Sequence, residues 1–122
     1  MLKELLYVGA GGAIGSILRY LVSLVVKYSG TGFPWATFSV NIMGCLVIGL
    51  LFGATSRNPC FSSNINLLLA VGLCGGFTTF STFSKECLQM LQAGNHWMCA
   101  IYIVGSVVLG VAAAAIGYLA TK

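Results

Sequence analysis

Long uninterrupted runs of apolar residues dominate the chain. Four such runs stand out, at residues 5–26, 35–54, 65–84 and 97–119. Each has about the ~20 residues that a helix needs to cross the hydrocarbon core of a bilayer. Because lipid offers the backbone no hydrogen-bond partners, each run is expected to be helical. The pattern predicts an all-α integral membrane protein, with residues 1–122 forming one transmembrane domain of four helices.

The chain carries too few charges to build a water-facing surface. Hydrophobic residues make up 58% of the sequence, charged residues make up 7%, and the mean hydropathy is +0.97. Soluble domains carry about 25% charged residues. The lysines and arginines are scattered singly, so no basic patch follows a phosphate backbone. Composition therefore places the protein in lipid and excludes a nucleic-acid partner.

Short connections join the apolar runs and leave no room for a soluble domain. They cover residues 27–34, 55–64 and 85–96. Typical turn residues mark them, namely Pro34, Asn58-Pro59 and Gly94-Asn95. The third helix is expected to continue beyond residue 84 until Gly94 stops it. The first run is too long for a signal peptide and contains Arg19, so we expect it to be a retained span.

An even number of spans places both termini on one side of the membrane. That side has Lys3, Arg57 and Lys122, and the opposite side has Lys27 and Lys85, with Arg19 if its side chain reaches the interface. Basic residues concentrate on the cytoplasmic side of most membrane proteins, and here they show almost no bias. Two interpretations stay open: a topology set by the insertion context, or dual topology, with copies inserted both ways.

Three polar residues are predicted to meet at one membrane face. Arg19 lies near the end of the first span, Thr37 near the start of the second, and Glu86 near the end of the third. Because successive helix ends alternate sides, these three positions share a side and are interpreted as a charged vestibule. The alternative is that they are unrelated interfacial residues whose long side chains reach the water.

The third run contains a poor helix centre. Gly75-Gly76 is followed by β-branched Thr78-Thr79 near the middle of the predicted span. A helix broken there would release backbone carbonyls that can bind a cation at the midplane of the membrane. The alternative is an intact helix that packs closely through its glycines.

Aromatic and hydroxyl side chains alternate after this point. The ring-bearing positions are Phe77, Phe80 and Phe83, and the hydroxyl positions include Ser81 and Thr82. Ring edges carry partial positive charge and face an anion without holding it tightly. Asn41 in the second run offers an amide, and the fourth run places Tyr102, Ser106 and Gly110 on one face. Ordinary helix packing explains the same pattern.

Motifs in three of the runs resemble those of the Fluc/CrcB fluoride channels, and the resemblance covers all four spans. They are Gly12-Ala13-Ile14-Gly15 with Arg19-Tyr20, Thr37 with Val40-Asn41-Ile42-Met43-Gly44, and Gly72 with the run from Gly75 to Phe83. The resemblance implies a fluoride-selective channel for passive fluoride efflux across a bacterial inner membrane, which confers fluoride resistance. It also implies an antiparallel, dual-topology homodimer in membrane lipid.

The same resemblance implies a site. A structural sodium ion (Na+) at the dimer interface would be held by the backbone carbonyls of Gly75 and Thr78 from each chain. The fluoride pore would be lined by Asn41, Phe80, Phe83 and Ser106. The pattern of aromatic and polar residues described above adds Ser81, Thr82 and Tyr102 to the candidate lining. Gly110 stands where some relatives are expected to have a hydroxyl, which leaves the length of the polar track open.

Other functions fit the residues less well. A small proton-coupled exporter needs a carboxylate deep in the membrane, yet the chain has no Asp, and both Glu4 and Glu86 are near helix ends. A non-transporting subunit of a larger complex stays open. An enzyme is not expected, because His96 is the only histidine and no nucleophile–base pair is visible. Five cysteines without a C-x-x-C motif do not predict a disulfide or metal site.

Overall fold

The computed structural model describes residues 1–26, 33–57 and 63–122. Within them lie four helical segments that are long and apolar enough to cross a membrane, which confirms the predicted number of spans. Span 1 is Leu2–Val25, span 2 is Trp35–Arg57, span 3 ends at Gln92, and span 4 is His96–Thr121. The turn residues predicted at Asn58-Pro59 lie outside the described residues.

Span 3 is bent in its middle, as the sequence predicted. Its first half consists of Ser63–Asn66, a π-helical stretch Leu67–Cys74, and Gly75–Phe77. The chain then becomes extended at Thr78, with φ −82° and ψ 160°, and its second half is the helix Ser81–Gln92. The helix therefore breaks after the glycine pair rather than at it.

Packing explains why Gly75-Gly76 stays helical. A Cβ atom on Gly76 would lie 3.0 Å from the Cα atom of Gly12 in span 1, so this glycine permits close helix contact. The last helical amide is that of Thr78, whose backbone N–H and side-chain hydroxyl both donate to the Cys74 carbonyl, at 2.9 and 2.8 Å. After Thr78, the backbone amides of Thr79 and Thr82 donate to side-chain oxygens.

The four spans form two parallel pairs. Span 1 packs on the first half of span 3, where Gly11 meets Gly72 and Gly15 meets Gly76. Span 2 packs on span 4 in the same way, and Gly49 lies against Ala114. Since spans 1 and 3 run in one direction and spans 2 and 4 in the other, the end of span 3 and the start of span 2 share a face.

A tight hairpin joins spans 3 and 4. Gly94 has φ +83°, a conformation that side chains with a Cβ rarely adopt, and it reverses the chain directly after Gln92. The Asn95 amide then donates to the Met90 carbonyl at 2.8 Å, which satisfies one of the last carbonyls of the helix. The hairpin brings the final turns of span 3 beside the first turns of span 4.

We expect Gly15→Ala to destabilise the protein, while Gly9→Ala on the same helix does not. A Cβ atom at position 15 would lie 2.7 Å from the Phe77 nitrogen and 3.1 Å from the Gly76 carbonyl carbon, whereas at position 9 nothing lies within 4 Å. Overpacking of this kind costs about 1–3 kcal/mol. Thermal unfolding in detergent measures the difference, and equal midpoints for the two variants would contradict the proposed close contact.

Candidate functional site

A groove with a few polar residues in a largely apolar wall runs beside the bend in span 3. Its volume is about 270 Å³, and it is open along one side of the chain. Its lining residues are Asn41, Thr78, Thr79, Phe80, Phe83, Ser106 and Val107. Spans 2, 3 and 4 thus contribute to one wall. The structure brings four of the sequence-predicted pore residues together here, namely Asn41, Phe80, Phe83 and Ser106.

Asn41 bridges span 2 to the broken part of span 3. Its side-chain amide donates to the Thr79 carbonyl at 3.1 Å, and its Oδ1 accepts the Thr79 backbone N–H at 2.9 Å. These two bonds replace bonds that the extended chain loses, which is the condition for irregular backbone inside a membrane. The amide nitrogen carries a second hydrogen, and Asn41 itself lines the groove.

Several carbonyls lose their helical donors at the bend, among them those of Gly75 and Thr78. In a continuous helix the Thr79 amide would donate to Gly75 and the Thr82 amide to Thr78. Here the Thr79 amide is held by Asn41, and the Thr82 amide donates to the Thr79 hydroxyl at 3.2 Å. The carbonyls of Gly75 and Thr78 are the ones that the resemblance assigned to sodium, and the sequence alone gave no geometric reason for choosing them.

Ser106 lines the groove, and its hydroxyl has no hydrogen-bond partner. Its Oγ is buried, and it is the one such side-chain atom within the described parts of the chain. Buried polar atoms are nearly always hydrogen-bonded, so this hydroxyl is an exception among the described residues.

The phenylalanines of span 3 do not form one continuous stripe. Phe80 is 78% exposed at the mouth of the groove, and its ring centroid lies 6.0 Å from that of Phe83. Phe77 instead lines a separate apolar cavity with Leu18 and Met43. The extended backbone at Thr78 changes the helical register, so the predicted spacing of three residues does not place Phe77 beside the other two rings.

Tyr102 does not line the groove, contrary to its predicted position in the pore wall. It is fully buried, and its hydroxyl donates to Glu86 Oε1 at 2.9 Å. The Thr37 hydroxyl donates to Glu86 Oε2 at 3.0 Å. The Glu86 side chain is 7% exposed, and each of its carboxyl oxygens accepts a hydrogen bond from a neutral hydroxyl. Sequence reasoning placed Thr37 and Glu86 at one face but missed the bond from Tyr102, because no motif signals a pairing across the hairpin.

Arg19 lies in a second cavity of about 260 Å³ between spans 1, 2 and 3. Thr37 also lines this cavity, and so does Thr82, which the sequence had grouped with the pore. The remaining lining residues are Ser16, Tyr20, Ser23, Ala36, Val40 and Thr79. Thr79 borders both cavities. Ser81 is exposed, and its hydroxyl lies 3.5 Å from that of Thr79.

The two charged members of the predicted vestibule stay apart. The structure joins Thr37 to Glu86, and Arg19 shares a cavity with Thr37. Across residues 1–26, 33–57 and 63–122, the only ion pair joins the N-terminal amine to Glu4. The Arg19 cavity therefore combines one positive charge with hydroxyl groups, a combination suited to an anion.

Sequence comparisons identify the family and several relatives of the chain. Residues 6–118 match the family model described as CrcB-like protein, Camphor Resistance (CrcB). A relative from Phocaeicola vulgatus, named fluoride-specific ion channel FluC, is 50% identical over 95% of this chain and 96% of its own length. A relative of the same name from Flavobacterium psychrophilum is 46% identical over 99% of this chain and 98% of its own length.

A third relative extends the match over the whole chain. The protein of Azobacteroides pseudotrichonymphae, also named fluoride-specific ion channel FluC, is 44% identical over 100% of this chain and 98% of its own length. With a family model that matches nearly every described residue and relatives of this identity, the chain belongs to the CrcB family.

Proposed function

We propose that this protein is a fluoride-specific channel that lets fluoride leave the cell down its gradient, across the bacterial inner membrane. Relatives at 44–50% identity carry the name fluoride-specific ion channel. The observation that carries the proposal is the groove beside the bend, with the unpaired Ser106 hydroxyl in its wall. Its physiological role would be fluoride resistance. Membership of a family of channels also means that the protein is not an enzyme, as the sequence predicted.

Groups in the groove wall can replace part of the water shell that surrounds a small anion. The hydroxyl of Ser106 and the second N–H of Asn41 are hydrogen-bond donors, and the edges of Phe80 and Phe83 are electropositive. Donors of this kind offset part of the cost of removing an ion from water. None of the residues that line the groove is positively charged, so the groove would bind the anion weakly enough to release it.

We further propose that the working channel is an antiparallel homodimer with dual topology. Three lines support it: the groove is open along one side, Phe80 is largely exposed there, and basic residues show almost no bias between the two sides of the membrane. A second copy would supply the missing wall. Two inverted copies would give two equivalent grooves.

A sodium ion at the dimer interface fits the carbonyls released at the bend. Backbone carbonyls are hard oxygen donors of the kind that suit a cation without needing a charged ligand. The carbonyls of Gly75 and Thr78 are directed away from helical pairing because Asn41 and the Thr79 hydroxyl take the corresponding amides. When bound, the ion would act structurally, by joining the bends of the two copies.

Arg19 and the hydroxyls around it would form the entrance of each pore. A positive charge near the membrane face raises the local concentration of anions. Thr79 lines both the cavity of Arg19 and the groove, so the two are neighbours. Thr82 and Ser81, placed on this side of the bend, would then serve the entrance rather than the narrow part of the path.

Reconstituted liposomes provide the test of function. The protein is expected to release fluoride and retain chloride, measured with ion-selective electrodes. Asn41→Asp keeps an acceptor for the Thr79 amide but loses the donor and adds negative charge, so we expect fluoride efflux to fall about tenfold or more. Thr55→Ala is the control, because Thr55 bonds only the Phe52 carbonyl of its own helix. A folded wild-type protein without fluoride efflux would favour the non-transporting subunit.

Ser106→Ala separates transport from stability. Since the Ser106 hydroxyl is buried and unpaired, its loss is expected to leave stability unchanged or raise it by about 1 kcal/mol. Fluoride efflux should nevertheless fall several-fold, because one groove donor is gone. Unfolding midpoint and efflux are measured on the same preparation. Unchanged efflux would contradict a role for Ser106 in the pore.

Replacing sodium by choline throughout purification is expected to weaken the dimer and lower fluoride efflux together. Light scattering on the detergent-solubilised protein reports the dimer fraction. Thr79→Val tests the geometry, because it frees the Thr82 amide to return to the Thr78 carbonyl. This variant should need a sodium concentration about tenfold higher to dimerise. Thr55→Val is the matched control, and a dimer insensitive to sodium would contradict the proposed site.

A further inference from the structure

Four sulfur-containing side chains meet at the hairpin between spans 3 and 4. Cys87, Met90 and Cys99 belong to one buried cluster, and Met98 packs against it. Cys87, Met90 and Cys99 are 8%, 2% and 3% exposed. No part of the channel proposed above uses these residues. We propose that this cluster is a binding site for a soft monovalent metal ion of the copper(I) class.

The two thiols are held together across the hairpin. The Cys99 thiol points to the Cys87 carbonyl oxygen at 3.7 Å, and both side chains belong to the same buried cluster. The Gly94 turn fixes this contact, because it sets the first turn of span 4 against the last turns of span 3. The two cysteines are twelve residues apart in sequence, so their spacing resembles no metal motif, and the sequence had predicted no metal site here.

The donor set selects a soft ion. Thiolate and thioether sulfur favour copper(I), while hard cations prefer oxygen. Among the described residues no group of three or more His, Cys, Asp or Glu could hold a metal. The present cluster is of another kind, since two of its four sulfurs are thioethers from Met90 and Met98. Phe33, Phe38 and Phe83 also pack against the cluster, and the hydroxyl of its fourth member, Tyr102, donates to the buried carboxyl group of Glu86.

Copper(I) binding would leave the net charge of the cluster unchanged. On binding, the S–H bond of one cysteine breaks, a sulfur–copper bond forms, and the proton leaves to solvent. One thiolate and one copper(I) sum to zero charge, so the ion would add no net charge beside the buried carboxyl group of Glu86, which Tyr102 holds. The other thiol and the thioethers would bind as neutral donors. Copper stays in the +1 state, so the step needs no oxidant.

The site is close enough to the membrane face to be reached. With a rise of 1.5 Å per residue, Cys99 lies about 5 Å along span 4 from His96, and Cys87 about 8 Å along span 3 from Gln92. Met98, one residue closer to the hairpin than Cys99, is only partly buried and packs against the cluster.

The test is retention of copper(I) by the full-length protein in detergent, with ascorbate present and bicinchoninate as the competing chelator. Cys60, outside the described residues, is replaced by Ser in every sample. We expect about one copper ion per chain, with only sulfur neighbours in the copper K-edge absorption spectrum. Cys87→Ser with Cys99→Ser should weaken retention about tenfold or more. Cys45→Ser with Cys74→Ser, which changes a thiol pair on spans 2 and 3, should not.

A second, more conservative variant controls for misfolding. Met90→Leu preserves volume but removes one thioether, and it should weaken copper retention several-fold while the protein stays monodisperse. Three results would overturn the proposal: no copper kept by the parent protein, equal retention after the Cys87 and Cys99 changes, or loss confined to the Cys45 and Cys74 variant. Each would leave the cluster as apolar packing only.

Discussion

The double hydrogen bond between Asn41 and the Thr79 backbone is the interaction on which the rest of the site depends. A backbone amide and a carbonyl without partners in a membrane would each cost several kcal/mol. Asn41 bonds both the backbone N–H and the carbonyl of Thr79, and it thereby stabilises the extended backbone at Thr78, half-way along span 3. The same bond fixes where the second half of the span begins and directs Phe80 to the groove.

The Asn41 bond requires spans 2 and 3 to be held in register, and small residues do this. Gly76 lets span 1 approach the first half of span 3, and Gly49 lets span 4 approach span 2. The two parallel pairs then meet where Gly44 leaves space for the Thr78 methyl group, which a Cβ atom at position 44 would strike. In lipid, such close backbone packing replaces the hydrophobic force that drives helix association in water.

The sequence predicted the spans and the bend because both arise from local properties. Apolar length identifies a span, and Gly75-Gly76 before two threonines marks a weak helix. Local properties do not set the exact position of the bend. That position depends on the packing of Gly76 against span 1 and on the hydrogen bond from Thr79 to Asn41, which is distant in the chain. Helical periodicity could not predict two further features, because both depend on changes in the backbone. Phe77 turns away from the groove because of the extended backbone at Thr78, and Tyr102 reaches Glu86 because of the turn at Gly94.

The separation of Arg19 from Glu86 follows from the same architecture and matters for an anion path. Had the two side chains formed an ion pair, the pair would have cancelled the positive charge at the proposed pore entrance. Instead, the hydroxyls of Thr37 and Tyr102 satisfy both oxygens of Glu86. Thr37 lies between the two groups, because it lines the Arg19 cavity while donating to the carboxyl group. Neutral donors thus hold Glu86 inside the protein, and the charge of Arg19 stays directed to its cavity.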